Sequence, residues 1–369
     1  MITVAPVQTG ADLADFLEYP CRHLPRDRYV PVWHDAIRRW RKGKGPHTRH
    51  GEVALVLARD ASGAVVGRST LHDDDRMDAK LGAMTQLMGL TDFTSVDVLR
   101  ALVGAAESAA HASGRTSVFG PVALLPNQLG GVITSGFEHR GFLDSPWNPP
   151  HYPLAWEALG FERAFPGATW ICDDLEDLDP ATTFPAVRDG VDGIDLHRGD
   201  RRRLAAQLPV LRRMLNASFL ELPYYTPISA AELAVQTDGL AYLLDESLLL
   251  YVTRHDDPVA FVLVVPDLST FAMRTRGRLN RLDQLRLLVT RGSYRREAIL
   301  LVKGTVPGAR GLGLMSLLSR ELLKNLQAGG YRTLRVTFIG DENAGSRAQF
   351  EAMKGRPLHG LTFYRRAVT

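Results

Sequence analysis

The residues best placed to do chemistry are the glycines of the run VKGTVPGARGLGLM, at positions 302–315. A β-branched segment leads to Pro307, and Gly308, Gly311 and Gly313 then predict a tight turn directly before an amphipathic helix. The first N–H groups of a helix have no partner within the helix, and the helix dipole places partial positive charge there. Because glycine also lets an anion approach the backbone closely, the run predicts a pyrophosphate site, although such turns also occur with nothing bound.

Sequence motifs for several other chemistries are absent. The chain contains no GxSxG, GxxxxGK[ST] or HExxH segment, which leaves no support for a hydrolase, a nucleoside triphosphatase or a zinc protease. The run HDDD at positions 72–75 is acidic, but consecutive residues on a turn seldom converge on one ion. Cys21 and Cys172 stand in no metal-binding spacing. We therefore expect no metal.

The glycine turn lies within an alternating series of predicted strands and helices. The predicted elements of the second half are strands 193–197, 248–254, 258–266, 298–306, 333–339 and 361–368 and helices 201–219, 230–244, 312–327 and 346–353, with a basic connection at 274–296. The first half has a hairpin of strands 52–59 and 64–71, a helix 96–112 and a strand 117–120. A hairpin, a long helix, a strand, an asparagine and a short helix thus occur twice, which indicates a duplicated domain.

The boundary between the two copies is predicted from composition. Residues 172–193 are rich in acids and contain proline, which is typical of a surface linker. We place an N-terminal domain at 1–178 and a C-terminal domain at 190–369.

The basic residues are unusual in type rather than in number. The 369-residue chain is 45% hydrophobic and 23% charged with a formal charge of +3, which is ordinary globular composition. Of its 44 basic residues six are lysines, which leaves 38 arginines, concentrated at 22–50, 198–213 and 274–296. A GC-rich genome explains such a bias, and so does a polyanionic ligand, because the guanidinium pairs with phosphate in a bidentate way.

The sequence also predicts a compartment. The first residues include acids and lack a basic segment before a long apolar run, so no signal peptide is expected. No stretch reaches the roughly 18 apolar residues that a membrane span needs. With two cysteines, these features favour a reducing cytoplasm and no membrane span.

The glycine turn and the segment after it resemble a known family. Pro307-x-x-Arg310-Gly-x-Gly313-Leu, followed by a strand and by Asp341-Glu-Asn343, resembles the acyl-CoA motif of the GNAT superfamily of N-acyltransferases, Arg/Gln-x-x-Gly-x-Gly/Ala, with Met315 in place of the last small residue. The resemblance implies a mixed α/β fold of mostly antiparallel sheets with flanking helices. It also implies acyl-CoA contacts, which fall on Gly304, Thr305, Val306, Arg310, Gly311, Leu312, Gly313, Leu314 and Asn343.

The first half resembles a tandem bacterial subgroup of the same superfamily. Asn148-Pro-Pro-His-Tyr152 is similar to the NPPYY-type segment of that subgroup, and Leu159-Gly-Phe161, Gly120-Pro121, Asn127 and Gly130-Gly131 add to the likeness. Between strand 64–71 and helix 96–112 there is no Arg-x-x-Gly-x-Gly turn. We therefore expect two tandem domains, of which the first has no CoA site of its own.

The general acid and base of the reaction are not evident. In the superfamily an amine attacks the thioester directly, often with a carboxylate as base and a tyrosine as acid. Here Lys303 stands near the expected glutamate and Phe350 where the tyrosine is common. The remaining candidates, each with an ordinary structural role as the alternative, are Tyr364, Asp267, Glu221, Tyr224 and Tyr225.

Three functions follow from the resemblance. The first is transfer of an acyl group from acyl-CoA to a small-molecule or peptide amine, forming an amide without an acyl-enzyme. The second is amide formation from aminoacyl-tRNA in a peptide or natural-product pathway, which would use the arginines to bind tRNA. The third is a non-catalytic CoA-binding or scaffold protein. A monomer and a homodimer are both compatible with the sequence.

Overall fold

The computed structural model describes residues 1–123, 130–184, 192–237 and 244–368. The β-strands within these ranges are β1 (Thr3–Pro6), β2 (Val53–Arg59), β3 (Val65–His72), β4 (Thr85–Phe93), β5 (Ser117–Gly120), β6 (Val132–Ile133), β7 (Glu162–Cys172), β8 (Ile194–Arg198), β9 (Leu249–Arg254), β10 (Asp257–Pro266), β11 (Glu297–Thr305), β12 (Thr333–Gly340) and β13 (Arg356–Ala367). The α-helices are α1 (Gly10–His23), α2 (His34–Arg41), α3 (Asp75–Leu81), α4 (Val96–Ala112), α5 (His151–Ala158), α6 (Pro180–Thr183), α7 (Leu204–Phe219), α8 (Ala230–Gln236), α9 (Ser269–Thr275), α10 (Arg281–Thr290), α11 (Leu314–Ala328) and α12 (Ala344–Ala352).

These strands form one continuous sheet. Its order is β1-β2-β3-β4-β5-β13-β7-β12-β11-β10-β9-β8, and β6 pairs with β13. The pairs β4–β5 and β11–β12 are parallel, and the other paired strands are antiparallel. Helices cover the sheet, so the predicted mixed fold of mostly antiparallel strands is confirmed.

The last strand of each half is exchanged into the sheet of the other half. Strand β13 from the chain's end pairs with β5, where Tyr364 lies opposite Gly120. Strand β7 pairs with β12, where Cys172 lies opposite Leu334. The exchanged strands also pair with each other in the middle of the sheet. Each half therefore completes its sheet with a strand of the other, and part of the predicted linker, residues 185–191, lies outside the described residues.

Helices α4 and α11 form as their apolar periodicity predicts. In α11, Leu314, Leu318 and Leu322 recur every four residues and are buried against the strands of the second half. Helix α4 occupies the predicted residues 96–112, and the Ser95 side chain accepts the Val98 N–H at its start. Such a cap stabilises a helix by about 1 kcal/mol.

The basic connection predicted at 274–296 is wrong, because these residues include helix α10 and the end of α9. Asn280 caps α10 by accepting the Asp283 N–H. The apolar residues of α10 point mainly to solvent, and eight arginines between residues 274 and 296 give the stretch the composition of a surface connection. Strands β4 and β7 were also missed. No helix in the described ranges is both long and apolar enough to span a membrane.

We expect Phe363→Ala to destabilise both halves together. The Phe363 ring on β13 is 6% exposed and lies 5.5 Å from the ring of Phe119 in the first half and 6.1 Å from that of Phe338 in the second. Removing a buried phenylalanine side chain typically costs about 3–5 kcal/mol of unfolding free energy. Urea unfolding followed by tryptophan fluorescence should show one transition at lower denaturant. Leu154→Ala, at a 67% exposed position, is the control, and two separate transitions of which one moves would contradict the prediction.

Candidate functional site

A gap opens between the two parallel strands of the second half. Strands β11 and β12 pair from Glu297 to Leu300 and then separate. The register between β10 and β11 skips one residue, Leu301, and such a bulge bends the strand. At the base of the gap the Thr337 hydroxyl donates to the carbonyls of Leu300 and Leu301, at 3.2 and 3.0 Å. We call the space between residues 301–305 of β11 and 337–340 of β12 the β11–β12 cleft.

The register of β11 decides which backbone groups face the cleft. The Val306 N–H donates to the Val259 carbonyl at 2.9 Å, and antiparallel pairing alternates, so Gly304 also points to β10. Lys303 and Thr305 then direct their N–H and C=O groups into the cleft, in phase with the Leu301 carbonyl that Thr337 binds. Of the three strand residues expected to contact the donor, Thr305 has a cleft-facing backbone, whereas Gly304 and Val306 belong to the ladder with β10.

The glycine turn lies at the mouth of the cleft. Gly311 and Gly313 have φ of +83° and +79°, and α11 begins directly afterwards at Leu314. Among the described residues, no side chain caps this helix start. A Cβ added at Gly308 or Gly311 would meet no atom within 4 Å. The turn therefore leaves room for an anion beside the N–H groups that begin the helix.

Arg310 is held beside the turn by the end of α7 and the loop that follows it. Its guanidinium lies 3.0 Å from the Glu221 carboxylate and donates to the Ser218 carbonyl at 3.3 Å. Both charged side chains are largely exposed, and exposed ion pairs contribute at most about 1 kcal/mol. A phosphate arriving at the turn would therefore compete readily with Glu221 for the arginine.

Lys303 extends its side chain from β11 to α12. Its ammonium nitrogen lies 4.0 Å from the centre of the Phe350 ring and donates a hydrogen bond to Gln349. Burial lowers the pKa of Lys303 to about 7, while the nearby Cys172 acts weakly in the other direction. The side chain is thus poised to gain and lose a proton near neutral pH. It was not chosen from the sequence, although a lysine within an apolar strand of a chain with six lysines was a signal.

Three further residues that the sequence predicted lie at the rim of the cleft or in the segments that support it. The Tyr224 ring packs against Phe338 of β12 at 5.5 Å and Phe165 at 5.4 Å, and burial raises the pKa of its hydroxyl. The Tyr225 hydroxyl donates to the Asn216 side chain at 2.7 Å and thereby anchors the loop to α7. Asn343 caps α12 by accepting the Ser346 N–H at 3.0 Å. Tyr224 thus contributes an aromatic wall, whereas Tyr225 and Asn343 hold backbone.

Asp267 and Tyr364 lie away from the cleft. The Asp267 carboxylate is at the opposite end of β11, where it accepts the Ser269 N–H and lies 3.3 Å from Arg140 and 3.5 Å from Arg335. The Tyr364 hydroxyl donates to Glu157 at 3.0 Å within the first half. Strand exchange carries Tyr364 there, which the sequence order of the elements did not indicate.

In the first half β4 and β5 are the corresponding parallel strands, and beyond their paired residues a cavity is lined by Leu90, Asp92 and Val122. Gly89 of β4 approaches the segment after β5 so closely that an added Cβ would lie 2.2 Å from the Val122 carbonyl oxygen. The Ser95 side chain accepts a helix N–H at the start of α4, where an anion would otherwise bind. Asn148 and Tyr152 of the NPPHY segment bind backbone groups of Ile133 and Phe93. Asn127 lies outside the described residues.

The acidic run at 72–75 has separate partners. Asp73 pairs with Arg115 at 2.6 Å, and Asp74 pairs with Arg76 at 2.7 Å while capping α3. These carboxylates therefore stabilise α3 and its contacts with the neighbouring strands.

Comparison with known proteins agrees with this architecture. No family model matches the chain. Protein YghO of Escherichia coli is 24% identical over 368 residues, covering 97% of this chain and 93% of that protein. The bacterial ceramide synthase of Caulobacter vibrioides is 24% identical over 289 residues, covering 75% and 73%. A solved tandem GNAT protein from the clavulanic acid biosynthesis pathway superposes over 100% of this chain and 98% of its own, with a TM-score of 0.58 and 15% identity.

The chain therefore has the fold of tandem GNAT proteins, as the sequence resemblance predicted.

We expect one lysine of the folded protein to titrate near neutrality. Burial of Lys303 lowers its pKa to about 7, and the chain has six lysines, so protein labelled with carbon-13 at the lysine ε-carbon gives few NMR signals. The signal with a midpoint near pH 7 should be missing from Lys303→Met.

The lowered pKa of Lys303 also predicts how the stability of the fold depends on pH. Between pH 7 and about 10.4 the unfolded chain holds a proton on Lys303 that the folded chain has lost, so the unfolding free energy should rise with pH across this window. Chemical denaturation at several pH values should show a smaller rise in Lys303→Met. A Lys303 signal that titrates above pH 9 would contradict both expectations.

Proposed function

We propose that this protein is an N-acyltransferase that transfers an acyl group from acyl-CoA to an amine, with the β11–β12 cleft as the donor site. The observation that carries the proposal is that the cleft-facing backbone of β11 leads directly to an uncapped, glycine-lined helix start. A pantetheine chain is an extended diamide that can pair with the free edge of a strand, and a pyrophosphate suits a helix start. The two parts of CoA fit these two neighbouring features.

Each part of the donor has residues to receive it in this proposal. The pyrophosphate binds the N–H groups of Gly311, Gly313 and Leu314, and Arg310 turns from Glu221 to the phosphate. The pantetheine amides pair with the cleft-facing groups of Lys303 and Thr305. This arrangement brings the thioester to the base of the cleft, close to the side chains on α12.

The proposed reaction needs one proton donor at the sulfur. The amine nitrogen attacks the thioester carbonyl carbon, and a cleft-facing backbone N–H stabilises the negative charge that forms on oxygen. The carbon–sulfur bond then breaks and the sulfur takes a proton from the Lys303 ammonium. The neutral lysine regains a proton from the nitrogen of the new amide, through water, which closes the proton balance. Lys303 thus fills the role that Phe350, lacking a hydroxyl, cannot fill.

The acceptor side of the cleft favours an amine with an apolar chain. Phe338 of β12 packs against Tyr224, and Phe165 and Phe363 continue an aromatic cluster shared by the two halves. The similar protein of C. vibrioides is named a ceramide synthase, and a ceramide is the amide of a long-chain amino alcohol. We therefore propose a long-chain amine as the acceptor class.

CoA binding should depend on the glycine turn. Gly311 and Gly330 lie near opposite ends of α11, have φ of +83° and +80°, and have no atom within 4 Å of an added Cβ. Gly311→Asp places a carboxylate at the anion site, and we expect CoA affinity measured by calorimetry to fall by roughly tenfold or more. Gly330→Asp imposes a similar backbone strain but places its carboxylate at the far end of α11, so it should bind CoA as the wild type does.

Two outcomes of this titration oppose the proposal. Absence of binding at millimolar CoA, or an equal loss of CoA affinity in both variants, would rule out the glycine turn as the donor site. Retention of tRNA with a steep salt dependence, in a protein that binds no CoA, would instead favour the aminoacyl-tRNA donor.

The role of Lys303 predicts a dependence on the leaving group. With a long-chain amino alcohol as acceptor, Lys303→Met should slow thiol release from an alkyl acyl-CoA by about 100-fold or more, the usual size of a general-acid contribution. The thiolate of an aryl thioester leaves with little protonation, so the rate of thiol release from it should fall much less. The wild-type rate should also vary with pH around 7.

A matched control separates this role from a general effect of losing a lysine. Lys324→Met removes a lysine that is half exposed on α11 and should change neither rate. Equal losses for alkyl and aryl thioesters in Lys303→Met would rule out proton donation to sulfur. Failure of the wild type to release thiol from any acyl-CoA would count against the acyltransferase itself.

A further inference from the structure

Helix α10 exposes an unusual amount of apolar surface. Of the ten large apolar side chains that are exposed in the described ranges, four belong to this helix: Leu282 at 78%, Leu285 at 60%, Leu288 at 39% and Val289 at 77%. The helix has ten residues. Scattered exposed leucines are ordinary, but four on one short helix form a patch that normally indicates an interaction site.

The apolar residues of α10 form a stripe that faces away from the protein. At about 100° per residue, Leu282, Leu285 and Val289 fall within an arc of about 60°. Leu287 lies on the opposite side, is 5% exposed, and packs with Leu268 and Phe271 in the core. Leu287 therefore attaches the helix to the fold, whereas the apolar stripe of the helix points away from the protein.

Arginines flank this stripe on both sides. By the same geometry, Arg281 and Arg286 lie about 70° to either side of its centre. Both side chains are exposed, and no carboxylate of the described residues pairs with them. A central apolar stripe with arginines along its borders is the pattern of helices that lie in a membrane surface, where the guanidinium reaches the phosphates while its stem covers apolar surface.

The charge around α10 favours an anionic surface. Residues 274–296 contain eight arginines and one acid, Asp283. Arg276 and Arg278 pair with Glu18, and Arg295 lies 3.6 Å from Asp245, so part of this charge is neutralised within the protein. Arg281 and Arg286, on the exposed side of the helix, keep their charge beside the stripe. A second copy of the chain docked on the same helix would bring two such basic faces together, which disfavours self-association.

We infer that α10 is a membrane-surface anchor that inserts Leu282, Leu285 and Val289 into a bilayer rich in anionic lipid. Arg281 and Arg286 bind the lipid phosphates at the same depth. The inference depends on the exposed face of α10 and not on the proposed reaction, and it brings the protein to the surface from which an apolar substrate would be drawn.

Vesicle co-sedimentation of the full chain tests this anchor. The wild type should bind vesicles of phosphatidylglycerol and phosphatidylcholine in equal parts, and bind phosphatidylcholine alone much more weakly. Leu285→Gln with Val289→Gln should reduce binding by roughly tenfold or more, because the apolar insertion is lost. Both positions are exposed, so the fold should be retained, which circular dichroism checks. Leu154→Gln, at a similarly exposed leucine of α5, is the matched control and should bind as the wild type does.

Further experiments test the role of the arginines and the alternative that a second copy of the chain covers the stripe. Arg281→Gln with Arg286→Gln should remove most of the preference for the anionic vesicles. A tryptophan introduced by Leu285→Trp should shift its emission to the blue when those vesicles are added. The anchor is overturned if the wild type does not bind anionic vesicles, or if the Leu285 and Val289 variant binds as the wild type does. It is also overturned if a dimer that forms without lipid is lost in that variant, which would assign the stripe to a second copy.

Discussion

The exchange of strands β7 and β13 is the constraint on which the rest of the structure depends. The two strands pair with each other along most of their length and join the five-stranded sheet of the first half to the sheet of the second. They also decide the form of the cleft. Strand β11 is held on one side by β10, and β12 is held on the other by β7, so the separation of β11 from β12 is fixed by strands of both halves.

The closed end of the cleft is reinforced by charge. Arg140 of the first half lies between Asp267 and Glu297 of the second, and Arg335 of β12 pairs with the same two carboxylates. Asp267 is 5% exposed, and removing one partner of such a buried pair would leave an uncompensated charge. This network holds the paired ends of β11 and β12 together, so the strands diverge from a fixed point beyond it.

Local sequence signals predicted what local forces determine. The glycine turn, helix α4 and strand β5 were all evident, because turn chemistry and apolar periodicity act within a few residues. The partner of a strand is different, since periodicity fixes which side chains are buried but not which sheet receives them. Tyr364 was therefore a candidate for the general acid of the second half, whereas β13 carries it into the first half. Lys303 and the outward stripe of α10 were missed because their meaning depends on the neighbours that the fold brings or withholds.

The strand exchange also has a consequence for how such a protein can change over generations. In a chain of two independent domains, one domain could be lost without damage to the other. Here the first half supplies β7 to one wall of the second, while β13 fills the middle of the first. Deleting either copy would remove a structural part of the other. The two halves are thus held together mechanically by the strands that they exchange.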